Sequence, residues 1–144
     1  MVTGDKVQIQ PSGYSGTPLA KKLGIKPGFL IKLVNAPAYY IDLFTDLPPD
    51  LDFSDDPGSK KDLIHFFTKQ EDEYLKNLPL LKEQLKPNGM IWVSWPKKAS
   101  KVSTDITEHL VRDFALKLGL VDIKVCAVDG VWSGLKLVIP VKNR

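Results

Sequence analysis

The sequence predicts an α/β domain in three layers, a mostly parallel sheet between helices, closed at its C-terminal end by an antiparallel β-hairpin. Short, nearly uncharged runs bounded by turn residues alternate with helix-period segments, the pattern of βα units joined by right-handed crossovers. The final two runs are separated by Asp129-Gly130, a strong short-range hairpin signal. Between Pro87-Asn88-Gly89 and Pro96, the run Met90 to Trp95 reads as a strand covered on both faces.

At 144 residues and 43% hydrophobic, the chain makes one domain, 1–144, with a core of ordinary size. Residues 1–16 are polar and Gly/Ser-rich apart from Val7 and Ile9, and read as an arm that is flexible or draped over the body. A net charge of +3, from 20 basic and 17 acidic residues, permits an acidic partner without the concentrated excess of a dedicated nucleic-acid binder. The single cysteine excludes an internal disulfide and any Cys-based zinc cluster. No apolar run approaches the roughly 18 residues of a membrane span, and Met-Val-Thr-Gly-Asp lacks a signal-peptide core. The expectation is a cytoplasmic protein without a membrane partner.

Taken in order, Thr17-Pro18 starts a short helix, Thr as N-cap, which Gly24 stops. Lys21 and Lys22 read as solvated charge on its outer face. Lys26-Pro27-Gly28 turns into a strand, Phe29 to Val34, whose odd residue Lys32 snorkels to an edge. Asn35-Ala36-Pro37 closes it, and Ala38 to Leu47 reads as a helix. Pro48 to Lys61 is turn-rich, with a short edge strand near Leu51 to Phe53. Asp62 to Phe67 is the second buried strand. Thr68 and Glu71 have capping-box spacing, and Leu75, Leu78, Leu81 and Leu85 stripe the helix that follows, with a kink or break at Pro79. After the central strand, Thr104 or Asp105 caps a helix with Ile106, Leu110, Phe114 and Leu118 inward. Gly119 ends it, and strands over 122–128 and 131–139 form the hairpin.

The chemistry-bearing residues narrow to one region. Cys126 sits mid-strand as a small apolar residue. His65 is mid-strand and His109 helical, neither at metal-ligand spacing. Asp50, Asp52, Asp55 and Asp56 lack the glycine and glutamate positions of a calcium loop, so no metal site is expected. No phosphate-binding glycine fingerprint exists. In a parallel sheet, however, the carboxyl edge collects Asn35, Thr68, Trp95, Lys97, Lys98, Ser100 and Lys101, and the returning last strand adds Trp132 and Ser133. That edge is where open α/β sheets bind ligands. Lysines beside a helix start make an anion site, and tryptophan offers a stacking face. The bland reading is a solvated basic loop with Trp95 as a lid on the core.

Two resemblances add to this. Leu85-Lys-Pro-Asn-Gly-Met-Ile-Trp-Val-Ser94 is similar to the turn and fifth strand of class I methyltransferases, Asp62-Leu-Ile resembles the opening of their fourth strand, and the hairpin resembles their sixth and seventh. The resemblance implies a Rossmann-like fold. In that family an acid late in the first strand and a Gly-rich turn serve S-adenosylmethionine. Here Leu33 and Asn35-Ala36-Pro37 stand in those places, no second-strand acid has room before Asp62, and no Asn-Pro-Pro-Tyr-type motif follows Phe67. A shortened sheet without its nucleotide site is expected, with no cofactor. Second, Tyr14-Ser-Gly-Thr-Pro-Leu19, Lys22-Leu-Gly-Ile-Lys-Pro-Gly28, Trp95-Pro-Lys-Lys-Ala-Ser-Lys101 and Trp132-Ser-Gly-Leu-Lys136 resemble blocks of an uncharacterised bacterial family, which implies no activity.

The sequence therefore points first to a non-enzymatic binding or regulatory module holding an anionic small ligand or protein partner at the basic carboxyl edge. A nucleic-acid-contacting protein would instead bind with steep salt dependence. A divergent methyltransferase-like enzyme would have to recognise its cofactor through unfamiliar residues.

Overall fold

The computed structural model describes residues 16–144; the expected N-terminal arm, with Val7 and Ile9, falls outside them save for Gly16. The strands are β1 (Leu30–Val34), β2 (Asp52–Phe53), β3 (Lys61–Phe67), β4 (Leu85–Pro96), β5 (Val121–Ala127) and β6 (Trp132–Val138). They lie in one sheet in the order β2-β1-β3-β4-β6-β5. The first four are mutually parallel, and β6 runs antiparallel to both its neighbours. Helices α2 (Glu71–Lys82) and α3 (Glu108–Lys117) cover one face, while α1 (Leu19–Leu23) and a 3₁₀ helix (Tyr40–Leu43) cover the other.

Side-chain alternation in the central strands feeds both cores. Ile64, Phe66, Ile91 and Val93 meet Tyr74, Leu78 and Val111 on the α2–α3 face. Leu63, Phe67 and Trp92 meet Leu19, Leu23 and Tyr40 on the α1 face, where the Trp92 indole donates to the Leu23 carbonyl at 2.9 Å. The largely apolar runs over 62–67 and 90–95 are thus the buried strands the sequence predicts.

Several expected local features are corrected. Residues 38–47 form only the short 3₁₀ helix, because Phe44 turns extended and Asp46 reaches back to cap α1, accepting from the Ala20 and Lys21 amides at 3.1 and 3.2 Å. That replaces the expected Thr17 cap; no side chain at Pro18, where α1 begins, does the work. Helix α2 runs through Pro79 unbroken and is capped not by Thr68 but by Asp105, whose carboxylate accepts from the Glu71 amide at 2.7 Å. Thr107, rather than Thr104 or Asp105, caps α3 through the Leu110 amide at 3.1 Å.

Leu85 belongs to β4 and not to the helix stripe. Nor do Asn88 and Gly89 take positive φ. The β3–β4 register steps from Lys61 opposite Leu85 to Leu63 opposite Met90, so residues 86–89 bulge out opposite Asp62 alone. Gly89 is needed there for space, since a Cβ would lie 2.8 Å from Leu85 Cδ1 and 2.9 Å from the Lys61 carbonyl oxygen. The hairpin is present, but wider than the two-residue turn expected. Ala127 pairs with Ser133, and the Asp129 carboxylate accepts from the Val131 and Trp132 amides, both at 2.8 Å, which shapes the longer loop.

Candidate ligand-binding cleft

Strand β1 has β2 on one side and β3 on the other, and β4 continues away beyond β3, so the chain reverses direction of travel across the sheet between β1 and β3. At such a switch point the connections diverge and leave a crevice outside the carboxyl ends. A cleft of about 450 Å³ lies there, lined by residues following β1, residues following β3, the first turn of α2 and the start of β6.

Its polar groups hold one another. Asn35, leaving β1 at φ 57, takes the left-handed conformation its short side chain tolerates. Its Nδ2 donates to the Phe67 carbonyl at 3.2 Å and to Glu73 Oε2 at 3.0 Å. Thr68, buried at the end of β3, donates its amide to the Ser94 carbonyl and its hydroxyl to Glu73 Oε1 at 2.6 Å. The Glu73 carboxylate, in the first turn of α2, is therefore oriented from the ends of two strands. The Trp132 ring forms an apolar wall, edge-on to Phe67 at 5.0 Å between centroids, and Lys69 Nζ stands 6.0 Å from its ring centre.

Trp132 is pinned from behind. Its indole donates to the Tyr39 hydroxyl at 3.2 Å, and that hydroxyl donates to Asp129 Oδ2 at 3.0 Å. Burial pushes the Tyr39 pKa up; the indole N–H pulls against it, and the charge of Asp129 adds to the rise, so the phenol keeps the proton it donates.

A second hollow, about 400 Å³, opens beside β2 between Leu33, Ile41, Phe53, Ser54 and Asp55. The sequence left no room for a second-strand acid; the short parallel β2 supplies the strand, and Asp55 follows it.

Of the residues expected at the site, Asn35, Thr68 and Trp132 meet in the cleft. Trp95 does not: it is 6% exposed and packs in the core on the α2–α3 face. It pairs with Ser133, whereas Trp132 pairs with Pro96, and neighbouring positions of a strand point to opposite faces. Ser133 shares the Trp95 side. Lys97, Lys98, Ser100 and Lys101 build a 3₁₀ turn beyond β4 that does not line the cleft, and Lys98 and Lys101 are exposed. The loop after them returns to the cleft's rim, where the Thr104 hydroxyl donates to the Lys69 carbonyl at 2.7 Å. Sequence reasoning missed Lys69, Glu73 and Tyr39. The signal for Glu73 is the acidic run Glu71-Asp72-Glu73 at the start of α2, which by itself only suits the positive end of a helix.

The remaining candidates are structural. His65 is fully buried, its Nδ1 2.9 Å from the Tyr40 hydroxyl and its Nε2 2.8 Å from Ser94 Oγ. Burial pushes its pKa down to about 3, so it stays neutral. A base beside a serine has the outline of a dyad, yet Ser94 and His65 are both inaccessible. His109 pairs with Asp113 at 3.1 Å on the exposed face of α3. Cys126 is half-buried, and burial raises its thiol pKa. Among the described residues, no helix is long and apolar enough to cross a membrane.

No family model and no curated protein sequence matches the chain, so the resemblance to an uncharacterised family finds no support there. Solved structures do match. An S-adenosylmethionine-dependent methyltransferase from Aquifex aeolicus aligns at a TM-score of 0.59 and 15% identity, over 84% of this chain and 88% of that one. The ribosomal protein L11 methylase of Lactobacillus delbrueckii subsp. bulgaricus aligns at 0.56 and 12%, over 84% and 74%. The 1,6-didemethyltoxoflavin-N1-methyltransferase of Burkholderia thailandensis, with 1,6-didemethyltoxoflavin and S-adenosylhomocysteine bound, aligns at 0.54 and 13%, over 83% and 73%. With six strands in a mostly parallel sheet and an antiparallel C-terminal return, this chain shares the Rossmann-like α/β fold of those methyltransferases.

Proposed function

We propose that the chain binds a small organic ligand in the cleft at the ends of β1 and β3 and does not itself transform it. The observation that carries this is the Glu73 carboxylate, held by Asn35 and Thr68 opposite the Trp132 ring in about 450 Å³. That is the mix of an apolar wall and a few fixed polar groups typical of ligand pockets. Glu73 would fix a hydrogen-bond donor of the ligand, Trp132 its flat or apolar body, and Lys69 an anionic end. The lysines at 97, 98 and 101 would add attraction for an anion approaching the same edge. Native mass spectrometry of protein purified without added ligand should show a bound mass that is lost in Trp132→Ala and reduced in Glu73→Gln. Wild type and Trp132→Ala with identical spectra would remove the reading.

The comparisons lend more to a second reading, a divergent methyltransferase-like enzyme. Under this reading Asp55, which follows β2 and lines the neighbouring hollow, would be the acid that holds a ribose. The β1 end fits S-adenosylmethionine less well: Pro37 lines the cleft where close backbone approach calls for glycine, and Leu33 lacks an acid's charge. Calorimetric titration with S-adenosylhomocysteine separates the two. No heat is expected under the first reading as drawn at the cleft; a one-to-one complex weakened by Asp55→Asn, with methyl transfer from S-adenosylmethionine lost in the same variant, would establish the second in its place.

A further inference from the structure

Across the antiparallel β5–β6 ladder, Lys124 stands directly opposite Lys136. Like charges at facing positions of a sheet repel and destabilise it. More positive charge is brought to the same face. Helix α1 ends in Lys21-Lys22, and the loop leaving it carries Lys26. Lys22 Nζ donates to the Ala127 carbonyl at 3.0 Å, and Lys124 Nζ to the Lys22 carbonyl at 3.3 Å, which fastens the end of α1 to β5. Lys136 pairs across β4 with Trp92 on that α1 face. Its Nζ lies 3.8 Å from the point where a side chain on Gly24, at φ 82, would begin, beside the Met90 thioether at 3.5 Å.

Among the described residues, none of Lys22, Lys26, Lys124 and Lys136 is ion-paired to a carboxylate, and Lys136 has no hydrogen-bond partner. Burial first, then Lys124 and Lys26, lower the pKa of the Lys136 ammonium. A half-buried, partnerless cation facing a second cation is unfavourable in the free protein and becomes favourable once an anion sits between them.

We infer that Lys22, Lys26, Lys124 and Lys136 form a binding site for a compact dianion, a phosphate group either free or on a monoester. Lys124 and Lys136 stem from one cross-strand pair, and Lys124 reaches the Lys22 backbone, an arrangement that serves a compact anion rather than an extended one. A phosphodiester backbone is served instead by a stripe of basic residues. The C-terminal end of α1 opposes an anion only weakly, because the helix has five residues. Lys136 is four positions along β6 from Trp132, about 13 Å at strand rise, and none of the four lysines lines the cleft.

Thermal unfolding at constant ionic strength, with chloride exchanged for inorganic phosphate, tests the assignment. The wild-type Tm should rise with phosphate. Lys136→Gln should raise the Tm in chloride, by removing the repulsion, and should abolish the phosphate-dependent rise. Lys26→Gln, on an exposed loop that cannot compromise folding, should reduce the rise. Lys117→Ala, exposed on α3 across the sheet, should leave it intact. An undiminished rise in Lys136→Gln means general salt stabilisation and overturns the site. Loss of the rise in Lys117→Ala would mean a general effect of surface charge, and overturns it equally. Protection by a single-stranded oligonucleotide but not by inorganic phosphate would also sink the dianion assignment, in favour of nucleic acid.

Discussion

An unfolded chain carries His65 with an ordinary pKa near 6.5, whereas in the folded chain burial between Tyr40 and Ser94 pushes it down to about 3. Between those values the unfolded state binds the extra proton, so stability is complete above about pH 6.5 and is lost as pH falls. The slope is about 1.4 kcal/mol per pH unit, or roughly 2 kcal/mol between pH 7 and pH 5. Urea unfolding at the two pH values measures it. His65→Gln should lower stability at pH 7 yet flatten the dependence; an unchanged slope in that variant would assign the effect elsewhere. Gly89 is a residue of the opposite kind, chosen for the atoms it lacks. Gly89→Ala drives a methyl against Leu85 and the backbone carbonyls of Lys61 and Asp62, and should cost about 1–3 kcal/mol. A urea midpoint equal to wild type would show that the bulge yields freely.

At the scale of elements, the helices are capped from across the fold as well as from within. Asp46 caps α1 and Asp105 caps α2, whereas Thr107 caps α3 locally. Asp105→Ala should therefore destabilise the protein by about 1 kcal/mol and speed hydrogen exchange at the Glu71 amide. Thr68→Ala should leave that amide protected and loosen Glu73 instead, because the Thr68 hydroxyl serves the cleft. The reverse result would restore the capping box to Thr68. The hairpin loop likewise has a double duty. The Asp129 carboxylate closes the turn with one oxygen and holds Tyr39 with the other, so the wall of the cleft and the return of β6 share an anchor.

Across the whole molecule, β3 and β4 are covered on both faces and paired on both edges, while β2 and β5 end the sheet. Amide exchange should be slowest in β3 and β4 and fastest in β2 and β5. Protection in β5 equal to that in β3 would mean that its free edge is covered in solution. The bulge at Ile123 and the exposed Lys124 oppose such pairing, as edge-protecting features commonly do.

By itself the sequence determined the α/β class, the doubly covered strands over 62–67 and 90–95 and the antiparallel return about Asp129-Gly130. These rest on local patterns of hydrophobicity and turn chemistry, which act over a few residues. It also marked Asn35, Thr68 and Trp132 as residues of one edge, since strand direction alone carries them there. Only the tertiary structure decided which face each side chain occupies. One position of register sends Trp95 into the core and Trp132 to the cleft. It also decided the partners that lie far apart in the chain: Asp46 and Asp105 as caps, Glu73 as a held carboxylate, and Lys124 facing Lys136. Those pairings have no signature in the sequence, because a carboxylate or an ammonium reads as solvated surface until the fold places another group beside it.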